Sequence, residues 1–283
     1  MNGITIGAGL FLRGDFEAKG LVDLRGARIS GQVACDGGKF NGQGDPALDM
    51  DAITIGAGLF LRGDFEAKGL VNLTGARITG QVSCRGGKFD GQGGPALNMN
   101  GITIGADLFL RDDFEAKGPV DLTRARITGQ VACTKGKFDG QGGPALDMNA
   151  ITIGADLYLR DDFEAKGSVD LARGTVQGGL RMNGGRFEGG IVAEALTVRG
   201  PFLMHDLKSL TGPLNLTDAH VGRLHDDAEV WKGADPLILN GFRYDRLTGT
   251  LSIGARLGWL ATKRENPILP ALRDEAVTID GQR

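Results

Sequence analysis

Apolar residues come in pairs two positions apart, and the pairs recur every five or six residues along the chain. In one stretch, Val22 pairs with Leu24 and Ala27 pairs with Ile29, and the next apolar pair begins at Val33. Residues two apart on a strand point to the same side, so each pair predicts a very short strand and each interval predicts a corner. The pattern therefore predicts a chain that coils around one apolar core.

A longer repeat carries this pattern. The stretch ITIGAGLFLRGDFEAKG begins at Ile4 and at Ile53, and near-copies begin at Ile102 and Ile151, so the four starts are 49 residues apart. Half of each unit traces one coil. Coils of 26 and 23 residues alternate, because Gly-rich loops such as NGQGDP lengthen one corner of every second coil. Such an array packs each unit against its neighbours and is typical of a solenoid.

The glycines interrupt any apolar i, i+3, i+4 spacing, which excludes a helical repeat. We therefore predict an all-β parallel β-helix of about ten coils over residues 1–224, built on two-coil repeats of 49 residues. Residues 225–283 are predicted to form an irregular and helical C-terminal cap. Within that cap, Ile253, Leu257 and Leu260 lie on one face of a predicted helix over 252–264.

Two resemblances refine this prediction. The segments VDLRGARIS and VNLTGARIT resemble degenerate pentapeptide repeats, which implies a right-handed coil with four sides. The chain departs from that pattern by placing Val, Leu or Ile where the family prefers Ala and by inserting corner residues such as Gln32, so a three-sided coil stays an alternative. Units such as GITIGADLFLRDDFEAKG, together with WKGADPLILNGFRYDRL, resemble bacterial repeat proteins that are often automatically labelled membrane-associated oxidoreductases.

Charge and hydropathy restrict the partners and the location. The chain has 32 Lys and Arg against 35 Asp and Glu, a formal charge of −3, so no strong basic field favours nucleic acid as a partner. No stretch approaches the ~18 consecutive apolar residues of a spanning helix, and the first residues lack the features of a secretory signal. These features predict a cytoplasmic protein, with peripheral contact to a membrane as the alternative.

The cysteines mark one structural position. Cys35, Cys84 and Cys133 are 49 residues apart, and Met182 occupies the same place in the fourth unit. A thioether can replace a thiol in an apolar slot, but it cannot replace the thiolate that a redox site or a cysteine metal site needs. Equivalent cysteines two coils apart are ~9.6 Å apart, too far for a disulfide. The sequence therefore predicts buried, reduced thiols and no cofactor or metal site.

Outward residues between the inward pairs form rows along the predicted rod. One row alternates in charge and is predicted to fix the register of the coils. It comprises Asp15, Lys39, Asp64, Lys88, Asp113, Lys137, Asp162, Arg186 and Asp206. A second row is mostly acidic, and mimicry of a nucleic-acid backbone is its less favoured interpretation; it comprises Asp23, Asp49, Asn72, Asn98, Asp121, Asp147 and Asp170.

A third outward row is apolar, and we call it the aromatic row: Phe11, Phe60, Phe109, Tyr158 and Leu203. Exposed apolar stripes of this length mark contact with a protein partner or a membrane surface. Neighbouring loops folded over the row are the alternative interpretation. The leading hypothesis is therefore a non-catalytic scaffold or protein-interaction rod that docks an unknown partner on its flat faces.

Unique chemistry needs a break in the repeat, and the repeat breaks after Phe187. His205, His220 and His225 all follow this point, the last within the tripeptide HDD. An enzyme is the alternative function: either the oxidoreductase that the label implies or a glycan-active β-helix using HDD. Met1 aligns with the inward residue Met50, which predicts either that the chain is part of a longer protein or that two chains form an end-to-end homodimer through their N-terminal coils.

Overall fold

The protein forms a right-handed parallel β-helix of about 11 coils. The computed structural model describes residues 3–249, 251, 252 and 254. Each regular coil has four short strands, and each strand pairs in parallel with its equivalents in the preceding and following coils. Both the fold class and the four-sided coil are confirmed, with about one coil more than predicted. At ~4.8 Å per coil, the rod is about 50 Å long.

The first and second sides carry two-residue strands. Strands of the first side are Thr5–Ile6, Arg28–Ile29, Thr54–Ile55, Arg77–Ile78, Thr103–Ile104, Arg126–Ile127, Thr152–Ile153 and Thr175–Val176. Strands of the second side are Leu10–Phe11, Val33–Ala34, Leu59–Phe60, Val82–Ser83, Leu108–Phe109, Val131–Ala132, Leu157–Tyr158 and Leu180–Arg181.

The third side has three-residue strands, and the fourth side again has two-residue strands. Strands of the third side are Glu17–Lys19, Lys39–Asn41, Glu66–Lys68, Lys88–Asp90, Glu115–Lys117, Lys137–Asp139, Glu164–Lys166 and Arg186–Glu188. Strands of the fourth side are Val22–Asp23, Leu48–Asp49, Val71–Asn72, Leu97–Asn98, Val120–Asp121, Leu146–Asp147, Val169–Asp170 and Ile191–Val192.

Longer elements complete the described rod, and parallel pairing continues past residue 224 to Gly249. These elements are Thr197–Met204, Ser209–Asn215, His220–Asp226, the helix Ala228–Gly233, Ala234–Ile238 and Arg243–Gly249. Thr197–Met204 spans the first and second sides, whereas Ser209–Asn215 spans the third and fourth. They join the four ladders into two sheets of 19 and 18 strands. The helix predicted over 252–264 lies outside the described residues, apart from Ser252 and Gly254.

The predicted inward residues form the core. Ala27, Ile29 and Val33 are at most 2% exposed, and their equivalents in later coils are also buried. All three cysteines are free and buried, and burial raises the pKa of the Cys35 thiol to about 12. Met182 fills the equivalent slot in the fourth unit and is fully buried. The prediction of an apolar slot for these four side chains is therefore confirmed.

A continuous stack of eight phenylalanine rings fills the core beneath the third side. Neighbouring ring centroids are 5.1 to 5.4 Å apart and the ring planes are tilted by 37° to 42°. Members come alternately from the corner before the strand and from the strand centre: Phe16, Phe40, Phe65, Phe89, Phe114, Phe138, Phe163 and Phe187. Coils that supply the ring from the corner have alanine at the strand centre, so one ring occupies each layer.

This stack explains why the predicted charge row was wrong. Aligning the rings of Phe16 and Phe40 sets Asp15 beside Lys39, but the backbone pairs Lys39 with Glu17 and Glu66. The alternating ladder is therefore Glu17, Lys39, Glu66, Lys88, Glu115, Lys137, Glu164 and Arg186. The predicted aspartates lie at the corner two residues earlier. Charge still alternates along the coils, but glutamates provide the negative members.

Phe89→Ala should lower the free energy of unfolding by about 3–5 kcal/mol, because it removes one ring from the middle of the stack. Denaturant unfolding followed by circular dichroism measures this loss. Labelling of native protein with a maleimide, read by mass spectrometry, should show Cys84 of the same coil reacting sooner than Cys35, since local opening exposes it. Equal acceleration at both cysteines would contradict a local role for the ring.

Candidate functional site

The structure places the aromatic row on one side of the rod. Parallel pairing sets Phe11 beside Ala34, Ala34 beside Phe60, and so on along the second side to Leu203. The complete register is Phe11, Ala34, Phe60, Ser83, Phe109, Ala132, Tyr158, Arg181 and Leu203. Large groups thus occur in every second coil, ~9.6 Å apart, as the sequence predicted.

The rings are less exposed than the sequence analysis expected. Phe11, in the first coil, is 49% exposed, whereas Phe60, Phe109, Tyr158 and Leu203 are half-buried. Their small neighbours are buried: Ala34, Ser83 and Ala132 are at most 4% exposed. The row is therefore not a bare apolar stripe.

Each of the first two rings folds back along its strand over a glycine. A Cβ added at Gly9 would lie 2.9 Å from Cζ of Phe11, and one added at Gly58 would lie 2.7 Å from Cζ of Phe60. Glycine at these places lets the ring lie close to the backbone. In the third and fourth units Asp107 and Asp156 take this position.

Arginine side chains cover the rings, which the sequence analysis missed. The guanidinium carbons of Arg13, Arg62, Arg111 and Arg160 lie 4.6, 4.4, 4.4 and 5.0 Å from the centroids of Phe11, Phe60, Phe109 and Tyr158. These distances are typical of cation–π contacts. The repeated FLR and YLR letters were the available signal, since residues two apart share one side of a strand.

Carboxylates of neighbouring coils or residues pair with three of these arginines, Arg62, Arg111 and Arg160. Arg62 donates from Nε and Nη2 to Asp36 over 2.8 and 2.9 Å, a bidentate ion pair between adjacent coils. The hydrogen bonds from Arg62 lower the pKa of Asp36. Further along the row, Asp112 pairs with Arg85 at 2.9 Å and with Arg111 at 3.4 Å.

Tyr158 differs from the phenylalanines because its hydroxyl has a partner. It donates to Oδ2 of Asp156 over 2.8 Å, while Oδ1 of Asp156 accepts from the Gly179 N–H. Arg181 also contacts Asp156 at 2.5 Å and lies 5.1 Å above the Tyr158 ring. Burial, followed by the Asp156 contact, raises the pKa of Tyr158. One end of the row is thus phenylalanine over glycine, and the other is a polar network.

The acidic row has a structural explanation. Its predicted register on the fourth side is confirmed, from Asp23 to Asp170. Each Oδ1 accepts from the backbone N–H two residues later, as Asp147 does from Asn149 at 2.9 Å. These Asx turns shape the corner between the fourth and first sides. Burial, and then the carboxylates of Asp170 and Asp121, raise the pKa of Asp147.

The HDD tripeptide is held by separate contacts. Asp226 is buried and accepts from Nε1 of Trp231 at 2.7 Å, and Asp227 caps the helix Ala228–Gly233 by accepting from two backbone N–H groups. The third member, His225, has Nδ1 3.2 Å from Oγ1 of Thr248, and its ring centroid is 4.5 Å from that of His205. His220 contacts Asp245 on the first side, apart from this group.

No protein-family model, no curated protein and no solved structure matches the chain. The structure places the protein in the fold class of right-handed parallel β-helices. Kinship with pentapeptide repeats stays a prediction. Within the part of the chain that the structure describes, no helix is long and apolar enough to cross a membrane.

Asp36→Asn should lower the free energy of unfolding by about 0.5–1 kcal/mol at pH 7, because it breaks an ion pair that is partly shielded from water. The folded-state pKa of Asp36 is lowered, so its stabilisation is present above the ordinary carboxyl pKa of about 3.9 and is lost as the pH falls. Thermal unfolding from pH 7 to pH 3 should show the two proteins converging. Asp15→Asn, at an exposed corner, is the control and should not show this loss of stability at pH 7.

Asp147→Asn should raise stability at pH 7 by a fraction of a kcal/mol, because it removes a carboxyl group that lies between two other carboxylates. Its folded-state pKa is raised, so the wild type gains relative stability below the ordinary carboxyl pKa and loses it as the pH rises through the folded value. The advantage of the variant should therefore vanish in acid. Asn98→Asp, which adds a carboxylate beside Asp121, should have the opposite effect; a neutral result for both would contradict repulsion along the row.

Proposed function

We propose that the protein is a non-catalytic interaction rod, related in design to pentapeptide repeats, that docks a protein partner along its second side. The observation that carries this proposal is the aromatic row with its covering arginines. Aromatic residues and arginine are enriched at protein interfaces, whereas lysine and glutamate are depleted there. The third side, with its Glu and Lys ladder, has the opposite composition.

Rigidity supports the same proposal. Phe60 is fixed between the backbone at Gly58, which its ring approaches closely, and the guanidinium of Arg62, which an ion pair with Asp36 holds. Side chains that are ordered before binding lose little conformational entropy when a partner docks. The constant rise of the coils sets the spacing of these groups, so the partner is expected to present complementary pockets at intervals of ~9.6 Å.

Changing Phe11, Phe60, Phe109 and Tyr158 together to Ser should abolish capture of the partner while leaving the β-helix folded. The physical reason is loss of the aromatic area on the second side, and the measurement is affinity capture from a bacterial lysate with quantitative mass spectrometry. Circular dichroism and the melting temperature check folding. Some loss of stability is expected because three of the rings are half-buried.

The control carries four changes on another side: Lys19, Lys68, Lys117 and Lys166 to Ser. A protein retained by the wild type and by this control, but lost by the aromatic variant, supports the proposal. Retention by all three would contradict docking through the second side. A rise in melting temperature with flavin or nicotinamide nucleotides would contradict a non-catalytic role and favour the oxidoreductase alternative.

A further inference from the structure

The first side carries a row of arginines that the proposed function does not use. Arg28, Arg77 and Arg126 occur in every second coil, and parallel pairing places a threonine between successive arginines. The complete row over the eight regular coils is Thr5, Arg28, Thr54, Arg77, Thr103, Arg126, Thr152 and Thr175. All three arginines are exposed.

These guanidinium groups stand outside the ion pairs of the described chain. The arginines that pair with carboxylates there belong to other positions: Arg25, Arg62, Arg85, Arg111, Arg160 and Arg181. Arg124 and Arg173 add positive charge at the corner just before the row, whereas Asp51 and the carboxylates of the acidic row add negative charge at that corner. Over the eight regular coils, the outward strand residues of the first side are therefore cationic or neutral, although the whole chain has a charge of −3.

An exposed hydroxyl accompanies each arginine. Ser30, Thr79 and Thr128 follow two residues after Arg28, Arg77 and Arg126, in the repeated letters RIS, RIT and RIT, and all three are exposed. In the coils between them this place is glycine: a Cβ at Gly56 would collide with the carbonyl oxygen of Ser30. The strand ends of the intervening coils thus carry no side chain at this place, and three equivalent pairs of guanidinium and hydroxyl groups recur ~9.6 Å apart.

We propose that the first side binds a linear anionic polysaccharide that has one acidic group per disaccharide. Arg28, Arg77 and Arg126 pair with the acidic groups of successive disaccharides. Ser30, Thr79 and Thr128, together with the threonines of the intervening coils, form hydrogen bonds with sugar hydroxyls. The disaccharide repeat of an extended β-linked polymer is close to two coil rises, ~9.6 Å, so sugar and protein stay in register along the row.

The observations favour a polysaccharide over nucleic acid. Phosphates recur every ~3.4 Å along one strand of B-form DNA, much more closely than these arginines. Single-stranded nucleic acid is bound by aromatic side chains that stack on bases, but the outward residues of the first eight strands on this side are threonine and arginine. Hydroxyl groups beside isolated charges match the chemistry of an acidic sugar polymer.

The test uses hyaluronan oligosaccharides of ten sugars, which have one carboxylate per disaccharide, and measures binding by calorimetry at low ionic strength. The wild type should bind, and added salt should weaken binding. Replacing Arg28, Arg77 and Arg126 with Thr should reduce affinity about tenfold, the sum of three exposed ion pairs. Thr175 occupies the equivalent place in the fourth unit, so the fold accepts threonine there. Thr175→Arg should extend the row and raise affinity about twofold or more.

The matched control changes Lys19, Lys68 and Lys117 to Thr, which removes the same charge from the third side and should leave affinity unchanged. Carboxyl-reduced hyaluronan should bind the wild type about tenfold more weakly, as hyaluronan binds the triple arginine variant. The proposal is overturned if the wild type does not bind hyaluronan, if both triple variants lose affinity equally, or if the carboxyl-reduced polymer binds as well. Tighter binding of an oligonucleotide through the same arginines would also overturn it. The aromatic variant should keep full affinity, because this side is independent of the proposed protein-docking surface.

Discussion

Parallel stacking of coils at one fixed rise is the constraint on which the rest of the structure depends. The backbone of each short strand forms hydrogen bonds to the coils on both sides of it, so an equivalent residue always lies beside its counterpart in the next coil. A single choice of residue in the repeat is therefore multiplied into a row along the rod. Rows of phenylalanine rings, of alternating charge and of Asx turns all arise in this way; the first two are favourable because neighbouring coils repeat them, whereas each Asx turn forms within one coil.

The four sides have acquired different chemistry under this shared constraint. The third side carries alternating charges over the ring stack, and the fourth carries carboxylates and amides that cap its corner. The second side presents aromatic rings under arginines, and the first presents arginines with hydroxyl groups. Because the coil rise is common to all sides, any ligand that follows the rod meets groups at the same interval. Two sides can thus serve two ligands without sharing residues.

The repeat is not uniform, and some of its changes alter the second side. Glycine at positions 9 and 58 becomes aspartate at 107 and 156, which converts a ring packed on backbone into a polar network around Tyr158. A partner that docks along this side therefore meets two different halves. Near the C-terminal end of the described chain, long strands cross corners that are sharp elsewhere, and Asp226 and Asp227 fix the short helix that follows.

The sequence by itself determined the fold class, the inward residues, the slot for the cysteines and the register of the aromatic and acidic rows. All of these depend on the two-residue periodicity of strands and on the 49-residue repeat, which are properties of the chain alone. Only the tertiary structure decided the partners of Lys39 and the covering of the rings. Phe16 and Phe40 reach the same stack from different backbone positions, so aligning like residues misplaced the charges beside them. Arg62 covers Phe60, and Asp36 of the preceding coil holds Arg62 by an ion pair. Such a contact between coils depends on side-chain geometry, which the periodicity of the sequence does not specify.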